Sequence, residues 1–515
     1  MKPKLSRREF IYLISAAALA SAAPTNILSL PESQFESGSN EGPNVLILLF
    51  DTLSARHMSL HGYQRQTTPN IDKFANRAFV YHNHFASGNF TSPSTASTLT
   101  GVYPWTHRAL NLSGTVSEQF IEKNLFSFFA ESHFTTAYTH NPFASIFLNQ
   151  FRDHIDELFP MDTLGLGGNV YAEGLFPSDF PTAFWSEITL RGTDQPIPGS
   201  LLASIFEKLM QKIRPVRPDY REMYPEGIPF TYKGIYFVLE EAIDWILDQL
   251  ITLPQSFLAY YHLWPPHLPY TPRADFINKF NDGKYWPEKP LHALTGDTSG
   301  LELHEQRQKY DEYIAFVDSE IGRLLDNMER AGILDNTMVI LTSDHGELFE
   351  RGMLGHLNST LYQNLIHIPL LISIPNQQIR KDIYSKTSCI DLLPTILQFT
   401  GNKIPHGIEG QVLPGFNSNE EQIDRSIFAM ESKLNSKMGS LKKLTLAMMK
   451  DQYKLIHYRG YGEEIGEELY DIKNDPEELN NLYSTKKFIA EDMMYELTRK
   501  IKSVNSQEQI SHSNS

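Results

Sequence analysis

The chain has a single cysteine among its 515 residues, and its basic side chains are fewer than its acidic ones. One thiol excludes an intramolecular disulfide framework, and the apolar surroundings of Cys389 in TSCIDLLPTIL indicate a buried, unreactive side chain. The 45 lysines and arginines against 61 aspartates and glutamates give a formal net charge of -16. This acidic excess argues against nonspecific binding to nucleic acid or to an anionic membrane surface.

Long apolar runs are missing beyond the N-terminus, so no later segment is predicted to span a bilayer. Within residues 1–23, Arg7 and Arg8 precede an apolar run that begins at Ile11 and ends in small residues. This is the pattern of a twin-arginine export signal, and the run is short for a transmembrane helix. We therefore predict a periplasmic or extracellular protein, with residues 24–42, rich in Ser, Pro, Gly and Asn, as a linker.

Three apolar segments have the pattern of buried strands: PNVLILLFD, NTMVILTSDHGELF and IPLLISIP. Between the first two, YDEYIAFVDSEIGRLLDNMERAG follows the helical period, with a stop at Gly332. The apolar face of that helix comprises Ile314, Val317, Ile321, Leu324 and Met328. Strands that alternate with helices predict an α/β fold in which a mainly parallel sheet is sandwiched by helices.

Two further regions differ from this pattern. Residues 160–235 are rich in glycine, proline and aromatic residues, and we interpret them as an insertion or a lid. Short strands such as SIFAME, LTLAMMK and YKLIHY, followed by an acidic helix, predict a small antiparallel C-terminal subdomain over residues 424–500. Residues 502–515 are polar and are predicted to be disordered.

Acidic residues and a histidine follow two of the predicted strands. Asp51 ends the first strand, and Asp344 with His345 directly follows the second. Each acid alone is more typical of a cap or a solvated turn, but the carboxyl ends of such strands meet at one edge of the sheet. Carboxylates suit hard cations, and an imidazole shifts the preference toward Mn, Zn or Fe over Ca. The pattern predicts a divalent metal site.

The segment NFTSPSTASTLTG, which starts at Asn89, is dense in hydroxyl groups, and by itself it is either a solvated loop or a source of a nucleophile. Its surroundings, from NVLILLFDTLSARHMSLHGY to TGVYPWTHRA, resemble the opening block of the sulfatases in the alkaline phosphatase superfamily. The resemblance continues, in order, through WPPHLPY, YIAFVDSEIGRLLDNMERAGILDNTMVILTSDHGELFERGMLGH, CIDLLPTILQFTG and EELYDIKNDPEELNNLY. It implies a catalytic domain over residues 43–415.

The resemblance implies roles for particular residues. Asp51, Asp344 and His345 fall on metal-ligand positions, and Thr91 falls on the position of the metal-bound nucleophile. His267 and His356 fall on positions whose side chains contact the transferred anion or the leaving group in the family. His107 matches the histidine that often follows the nucleophile helix in the family. A packed or surface histidine is the alternative for each of the three. Weaker candidates are His61, Arg108, Gln363 and Asn364.

Departures from the family pattern limit what the resemblance implies. Sulfatases convert a cysteine or serine to formylglycine and place an arginine two positions after the proline, where this chain has Thr91 and Thr95. A threonine carries a methyl group on Cβ, so its oxidation cannot give the aldehyde, and no formylglycine is expected. Thr52 replaces the second acid after Asp51, which lowers the preference for calcium and favours one Mn, Zn or Mg ion. TAYTHNPFAS replaces the block that carries the family's lysine.

These features together predict an exported, metal-dependent hydrolase that cleaves a sulfate or phosphate ester with the hydroxyl group of Thr91. A metal-bound hydroxyl can attack phosphorus or sulfur in line. Phosphorus is chemically preferred because the formylglycine apparatus is missing, whereas the name of the family points to sulfate. The substrate would be an anionic ester, such as a sulfated or phosphorylated glycan or lipid. Two alternatives stay open: a transferase that moves a phosphate-containing head group to a glycan or lipid, and a pseudoenzyme that binds anions.

Overall fold

A computed structural model describes residues 42–166, 220–231, 235–294, 298–417, 425–437, 439–462 and 465–513, with the backbone alone from residue 505 onward. The predicted export signal, nearly all of the predicted linker, and most of the predicted insertion lie outside the described residues. The proposed boundaries of these segments therefore stay predictions.

The described residues form fourteen strands and eleven α-helices. The strands are β1 (Asn44–Phe50), β2 (Phe79–Phe85), β3 (Phe134–Thr139), β4 (Glu157–Leu158), β5 (Phe257–Leu263), β6 (Thr337–Ser343), β7 (Phe349–Glu350), β8 (Met353–Leu354), β9 (Leu370–Ser373), β10 (Lys381–Ser388), β11 (Ile427–Glu431), β12 (Leu444–Lys450), β13 (Tyr453–Arg459) and β14 (Glu468–Asp471).

The helices alternate with these strands over much of the chain. They are α1 (Pro69–Ala75), α2 (Thr91–Thr100), α3 (Pro104–His107), α4 (Leu125–Phe129), α5 (Pro142–Gln150), α6 (Tyr220–Met223), α7 (Leu239–Thr252), α8 (Gly300–Arg330), α9 (Gln363–Ile366), α10 (Leu392–Phe399) and α11 (Lys487–Ser513).

An eight-stranded sheet in the order β10-β2-β9-β6-β1-β5-β3-β4 forms the centre of the fold. The segments predicted as the first two buried strands are β1 and β6, which pair in parallel at the middle of this sheet. The third predicted strand, β9, is antiparallel to both β2 and β6. The connection from β6 to β9 runs through β7, β8 and α9, and β9 is an antiparallel strand within a mainly parallel sheet.

Alternate residues of β1 face opposite sides of the sheet, which explains its uninterrupted apolar sequence. Leu46, Leu48 and Phe50 pack in the core that includes the predicted apolar face of α8. Val45, Ile47 and Leu49 pack on the other side, in a core that includes residues of α2 and α10. The sheet is therefore covered on both faces, and the predicted mixed, mainly parallel α/β architecture is confirmed.

A four-stranded antiparallel sheet, β11-β12-β13-β14, follows in the C-terminal part of the chain. The three predicted strands are present, and β14 was not predicted, since its four residues follow a segment rich in charge. The final helix differs from the prediction, because α11 continues to Ser513 through residues predicted to be disordered. Buried Ala490, Met493 and Leu497 anchor this helix, and the polar residues beyond them include helix-compatible Gln and Glu.

Two predictions about apolar segments can be compared with the described residues. Cys389 is 1% exposed and forms no disulfide, in agreement with an inert buried thiol. Among the helices that the structure describes, none combines the length and the hydropathy that a membrane span requires.

Replacement of Leu324 by alanine should lower the free energy of unfolding by about 2–5 kcal/mol, because this fully buried side chain of α8 would leave a cavity. Leu301 lies on the same helix and is 69% exposed, so its replacement by alanine should cost less than about 0.5 kcal/mol. Urea denaturation followed by circular dichroism measures both. Equal losses in the two variants would contradict the packing described.

Candidate active site

The carboxyl ends of β1 and β6 bring the predicted metal ligands together. Phe50 pairs with Ser343 in the parallel register, so Asp51 and Asp344 continue from neighbouring strands at the same edge of the sheet. Asp51, Asp344 and His345 place one ligand atom each within 4.8 Å of one another, and all three side chains are buried. The strand-end pattern therefore predicted a cluster that the fold assembles.

Among the residues that the structure describes, the atoms that face one another in this cluster have no hydrogen-bond partner. They are Asp51 Oδ1, Asp344 Oδ2 and His345 Nε2. His345 Nε2 lies 3.6 Å from Asp51 Oδ1 and 3.5 Å from Asp344 Oδ2. Buried carboxylate oxygens without donors are costly unless a cation or proton satisfies them, so the donor set fits a divalent metal ion.

The remaining atoms of the same ligands are held by the protein. Asp344 Oδ1 accepts hydrogen bonds from the backbone N–H groups of Thr52 at 3.3 Å and His345 at 2.9 Å. His345 Nδ1 lies 3.0 Å from the carbonyl oxygen of Gly346, and donation to that oxygen leaves the lone pair on Nε2. Such hydrogen bonds to the ligands orient metal-binding side chains.

Burial raises the pKa of both Asp51 and Asp344, and each carboxylate is exposed to the negative potential of buried acidic neighbours. Desolvation disfavours the charged form of an acid, and a like charge adds to that effect. A bound cation at these oxygens would have the opposite effect and keep both groups ionised. The electrostatics and the geometry therefore agree.

His262 is a member of the cluster that the sequence did not indicate. It lies near the end of β5, opposite Leu49 of β1, and its Nε2 is 3.7 Å from Asp51 Oδ2 and 3.8 Å from Asp344 Oδ2. Burial lowers its pKa to about 4, so the imidazole is neutral at physiological pH. The sequence signal that could have indicated His262 is a histidine near the end of the apolar segment FLAYYHL.

Thr91 is the first residue of α2, and its hydroxyl group faces the cluster through Asn141. The amide nitrogen of Asn141 donates a hydrogen bond to Thr91 Oγ1 at 3.0 Å and another to Asp51 Oδ2. Asn141 directly precedes α5, where its Oδ1 accepts from the backbone N–H groups of Phe143 and Ala144. The amide is thereby fixed between the hydroxyl and the carboxylate.

Asn141 was also missed by the sequence prediction. It belongs to TAYTHNPFAS, the block that stands where the family has its lysine, and it follows β3 at the same edge of the sheet as Asp51. A polar residue after a strand and before a proline is a signal for a helix cap, and by itself it does not indicate a contact with a hydroxyl group in another element. The tertiary structure adds the contact with Thr91.

The N-terminus of α2 carries Thr91, which Asn141 links to the cluster. Phe90 precedes the helix in an extended conformation and provides no side-chain cap, and no capping oxygen is found for the first N–H groups of the helix within the described part of the chain. The hydroxyl groups of Ser92 and Ser94 instead bond to the carbonyl oxygens of Leu112 and Gly88 and support the first turn. Thr95, at the family's arginine position, has a buried hydroxyl group without a hydrogen-bond partner.

His267 and His356 border the cluster. The ring of His356 lies 4.4 Å from that of His345 and 4.9 Å from that of His267, measured between ring centres. His356 Nδ1 is 3.0 Å from Glu347 Oε1, and burial raises the pKa of Glu347 to about 8. Burial lowers the pKa of His267 to about 3. Both predicted histidines therefore lie beside the predicted metal ligands.

His107 lies behind α2. Its Nδ1 accepts a hydrogen bond from the backbone N–H of Ala109 at 3.0 Å, which places the ring proton on Nε2. Nε2 is 3.0 Å from Ser97 Oγ and 3.2 Å from the carbonyl oxygen of Pro93. Both ring nitrogens therefore form hydrogen bonds within or next to α2. His107 stabilises the position of this helix, which differs from the predicted catalytic role.

The weaker candidates have partners elsewhere in the fold. Arg108 donates to the carbonyl oxygens of Lys437 and Gly439, and Asn364 donates to Glu350. His61 packs near the ring of His367. The backbone N–H of Gln363 donates to Glu478. None of these contacts joins them to the cluster of Asp51, Asp344 and His345.

A mainly parallel sheet that presents two buried carboxylates to a hydroxyl group at a helix N-terminus has the architecture of a hydrolase of the alkaline phosphatase type. The sulfatase family matches residues 43–402, and the C-terminal region of N-sulphoglucosamine sulphohydrolase matches residues 356–507. The first match covers more than half of the chain. The chain therefore belongs to the sulfatase family, whose members are ester hydrolases that use a metal ion.

Individual relatives are distant. The sulfatase YidJ of Escherichia coli, which is uncharacterized, is 23% identical over 474 residues that cover 87% of this chain and 84% of the relative. An ulvan-active sulfatase of Formosa agariphila is 25% identical over 403 residues, which cover 75% of this chain and 68% of the relative. Arylsulfatase K of Bos taurus is 26% identical, and the chain spans about half of its length.

Solved structures support the fold. A phosphonate monoester hydrolase of Agrobacterium radiobacter has a TM-score of 0.63 at 19% identity, covering 90% of this chain and 96% of that one. BT4656, solved in complex with its substrate D-glucosamine-2-N,6-O-disulfate, also has a TM-score of 0.63 at 19% identity, with 90% and 98% of the two chains covered. At this identity the similarity concerns the fold.

Replacement of Asp344 by alanine should abolish the retention of a divalent metal ion by the purified protein, since one of the ligand oxygens is removed. The wild type should retain about one ion per chain and lose thermal stability after chelation, because a ligand that binds only the folded state stabilises it. Elemental analysis and thermal unfolding measure these effects. A wild-type protein without metal, or without a response to added metal, would contradict this prediction.

Proposed function

We propose that the protein hydrolyses an anionic ester, with a phosphate ester preferred over a sulfate ester, and that Thr91 is its nucleophile. The observation that carries the proposal is the amide of Asn141, which donates to both Thr91 Oγ1 and Asp51 Oδ2. This links the hydroxyl group directly to a carboxylate of the candidate metal site. This contact supports the assignment of Thr91 as the nucleophile.

The environment of Thr91 favours loss of its proton. A hydrogen bond donated to Oγ1 stabilises the oxygen as negative charge develops on it, and so lowers the pKa of the hydroxyl group. A divalent cation held by Asp51, Asp344 and His345 would lower that pKa further and neutralise charge on the ester. Asn141 and the candidate ligands therefore act on the same oxygen.

Two other features of the site support the proposed reaction. The uncapped N–H groups at the start of α2 can donate hydrogen bonds to the non-bridging oxygens of the ester. Burial lowers the pKa of His267 and of His356, and the negative charge of a bound ester would raise both again, so that either imidazole can become the acid that protonates the leaving oxygen. Glu347 fixes the ring of His356 through Nδ1, which leaves Nε2 for the substrate. The chain thus provides groups for the nucleophile, the anion and the leaving group.

We further propose Mn, Zn or Mg as the metal rather than Ca. The donor set contains an imidazole beside two carboxylates, and Thr52 contributes a hydroxyl group where the family has a second acid next to Asp51. Fewer carboxylates and one nitrogen ligand favour these ions over Ca²⁺, which prefers six to eight oxygen ligands. His262 would lie next to the ion without being required as a ligand.

Removal of the Thr91 hydroxyl group in Thr91→Ala should lower kcat/KM by at least about 10³-fold, whereas Thr91→Ser should retain measurable turnover, since it keeps the nucleophilic oxygen. Thr98→Ala is the matched control. It removes a buried hydroxyl group from the same helix that bonds to the carbonyl oxygen of Ser94 and to the thiol group of Cys389, and not to the cluster. Steady-state kinetics on an aryl phosphate measures all three, and full activity of Thr91→Ala would refute the assignment.

The same protein should be tested on aryl sulfate, phosphate monoester, phosphodiester and phosphonate monoester, and on sulfated and phosphorylated sugars. The sugars are included because a neighbour in fold was solved with glucosamine disulfate and another with a neocarrahexaose. Efficient aryl sulfate cleavage would overturn the preference for phosphorus. Product formation that depends on an added alcohol acceptor would instead favour the transferase.

We also propose that the protein acts outside the cytoplasm after export through the twin-arginine pathway. Replacement of both Arg7 and Arg8 by lysine should keep the protein in the cytoplasm, because the pathway recognises the arginine pair. Replacement of Lys2 and Lys4 by arginine preserves the same charge and should leave export unchanged. Fractionation of an expressing bacterium distinguishes the two, and normal export of the Arg7 and Arg8 variant would contradict the proposal.

A further inference from the structure

The segment that follows β11 is held beside the loop that leads to Thr91. The backbone N–H of Met430 in β11 donates a hydrogen bond to the carbonyl oxygen of Ser87 at 2.8 Å. Ser87 lies four residues before Thr91 in the sequence. The chain then continues through residues 432–437, which we call the rim segment. The rim segment therefore extends from the small C-terminal sheet to the edge of the candidate active site.

The rim segment connects two sides of that edge. At one end, Lys433 Nζ donates to the carbonyl oxygen of Asn358 at 2.9 Å. At the other end, Lys437 Nζ donates to Thr115 Oγ1 at 2.6 Å and to the carbonyl oxygen of Val116 at 2.8 Å. The segment therefore reaches from the loop of His356 to the loop that supports the first turn of α2.

Lys433 shares its acceptor with a residue of the nucleophile loop. Asn89, two residues before Thr91, donates its side-chain amide to the carbonyl oxygens of Asn358 at 3.0 Å and His356 at 3.1 Å. The ammonium group of Lys433 and the amide of Asn89 therefore meet at one oxygen. This contact fixes the position of the lysine relative to both His356 and Thr91.

The ammonium group retains capacity to bind a ligand. Its side chain is 18% exposed, and its two partners are Asn358 and, at 3.4 Å, Glu431 Oε1. An ammonium carries three N–H donors, so one donor remains. Glu431 is itself shared, since it also accepts from the backbone N–H of Lys433 and from the hydroxyl of Tyr461. The charge of Lys433 also contributes to the low pKa of His356.

The charges of the site divide between two sides. Asp51 and Asp344 at the strand ends suit a cation that would bind the anionic ester group. The N–H groups at the start of α2 can donate hydrogen bonds to the same ester group. Lys433 enters from a different element, next to His356, where the alcohol part of the ester would leave. A positive charge on that side stabilises the negative charge that develops on any leaving oxygen, and it stabilises an anionic alcohol part of the substrate in addition.

We propose that Lys433 is a specificity-determining residue that binds a second anionic group, a carboxylate, sulfate or phosphate, on the alcohol part of the ester. The proposal rests on the function proposed above for the site. It narrows the substrate class to esters of alcohols that carry a negative charge, such as acidic or multiply esterified sugars. The overall charge of the protein is negative, so such a substrate requires a local cation of this kind.

The test compares 4-nitrophenyl phosphate with analogues that carry a carboxylate or a sulfonate on the ring. Wild type should prefer the charged analogues, and Lys433→Met should reduce that preference in kcat/KM about tenfold, the effect of losing one charge-assisted hydrogen bond. Lys433→Arg should retain it. Lys442→Met removes an equal charge from an exposed side chain further along the same loop and should leave the preference unchanged. A carboxylate-only or sulfonate-only preference would identify the group that is bound.

Binding of ligands that cannot be hydrolysed separates this inference from the proposed reaction. Benzylphosphonate with and without a ring carboxylate should differ in calorimetric affinity for the wild type, and the difference should disappear in Lys433→Met. If this holds while no ester is turned over, the inference stands and the proposed function fails. If esters are turned over by Thr91 but Lys433→Met keeps the full preference for charged analogues, the assignment of Lys433 is wrong.

Discussion

Two buried carboxylates held side by side are the constraint on which the rest of the site depends. Asp51 and Asp344 follow adjacent parallel strands, and neither oxygen that faces the centre has a hydrogen-bond donor. Two such charges repel each other in a medium that water does not reach, so the arrangement is stable only with a cation or a proton between them. His345 and His262 complete the cluster. The sheet supplies the rigidity that holds these groups together.

That constraint also explains the surroundings of Thr91. Asn141 donates to one of the carboxylates and to Thr91, so the position of the hydroxyl group is tied to the charge at the strand ends. Behind the helix, His107 and the serines of the first turn hold α2 in place without facing the cluster. The C-terminal sheet adds Lys433 from outside. The groups of the candidate site, the groups that support α2, and Lys433 thus come from different elements of the fold.

Comparison with the sequence shows where local patterns are sufficient. Asp51, Asp344 and His345 were predictable because each directly follows an uninterrupted apolar strand, and the ends of such strands meet at one edge of a sheet. Thr91 was predictable from a resemblance between ordered blocks. Asn141 and His262 were missed, since a helix cap and a strand histidine have ordinary structural roles in most proteins. The direction of β9 was missed because an apolar run does not show which neighbour it pairs with.

The sequence by itself determined the α/β class, the two strand-end acids, the threonine in place of a formylglycine precursor, and the family. These depend on short-range patterns, such as the apolar runs, the helical period of α8 and the residue types within motifs. Only the tertiary structure decided that Asn141 bonds to Thr91, that His107 supports α2, and that Lys433 reaches the loop of His356. Each of these contacts joins residues that are distant in the chain or on different elements, and side-chain direction there is set by packing.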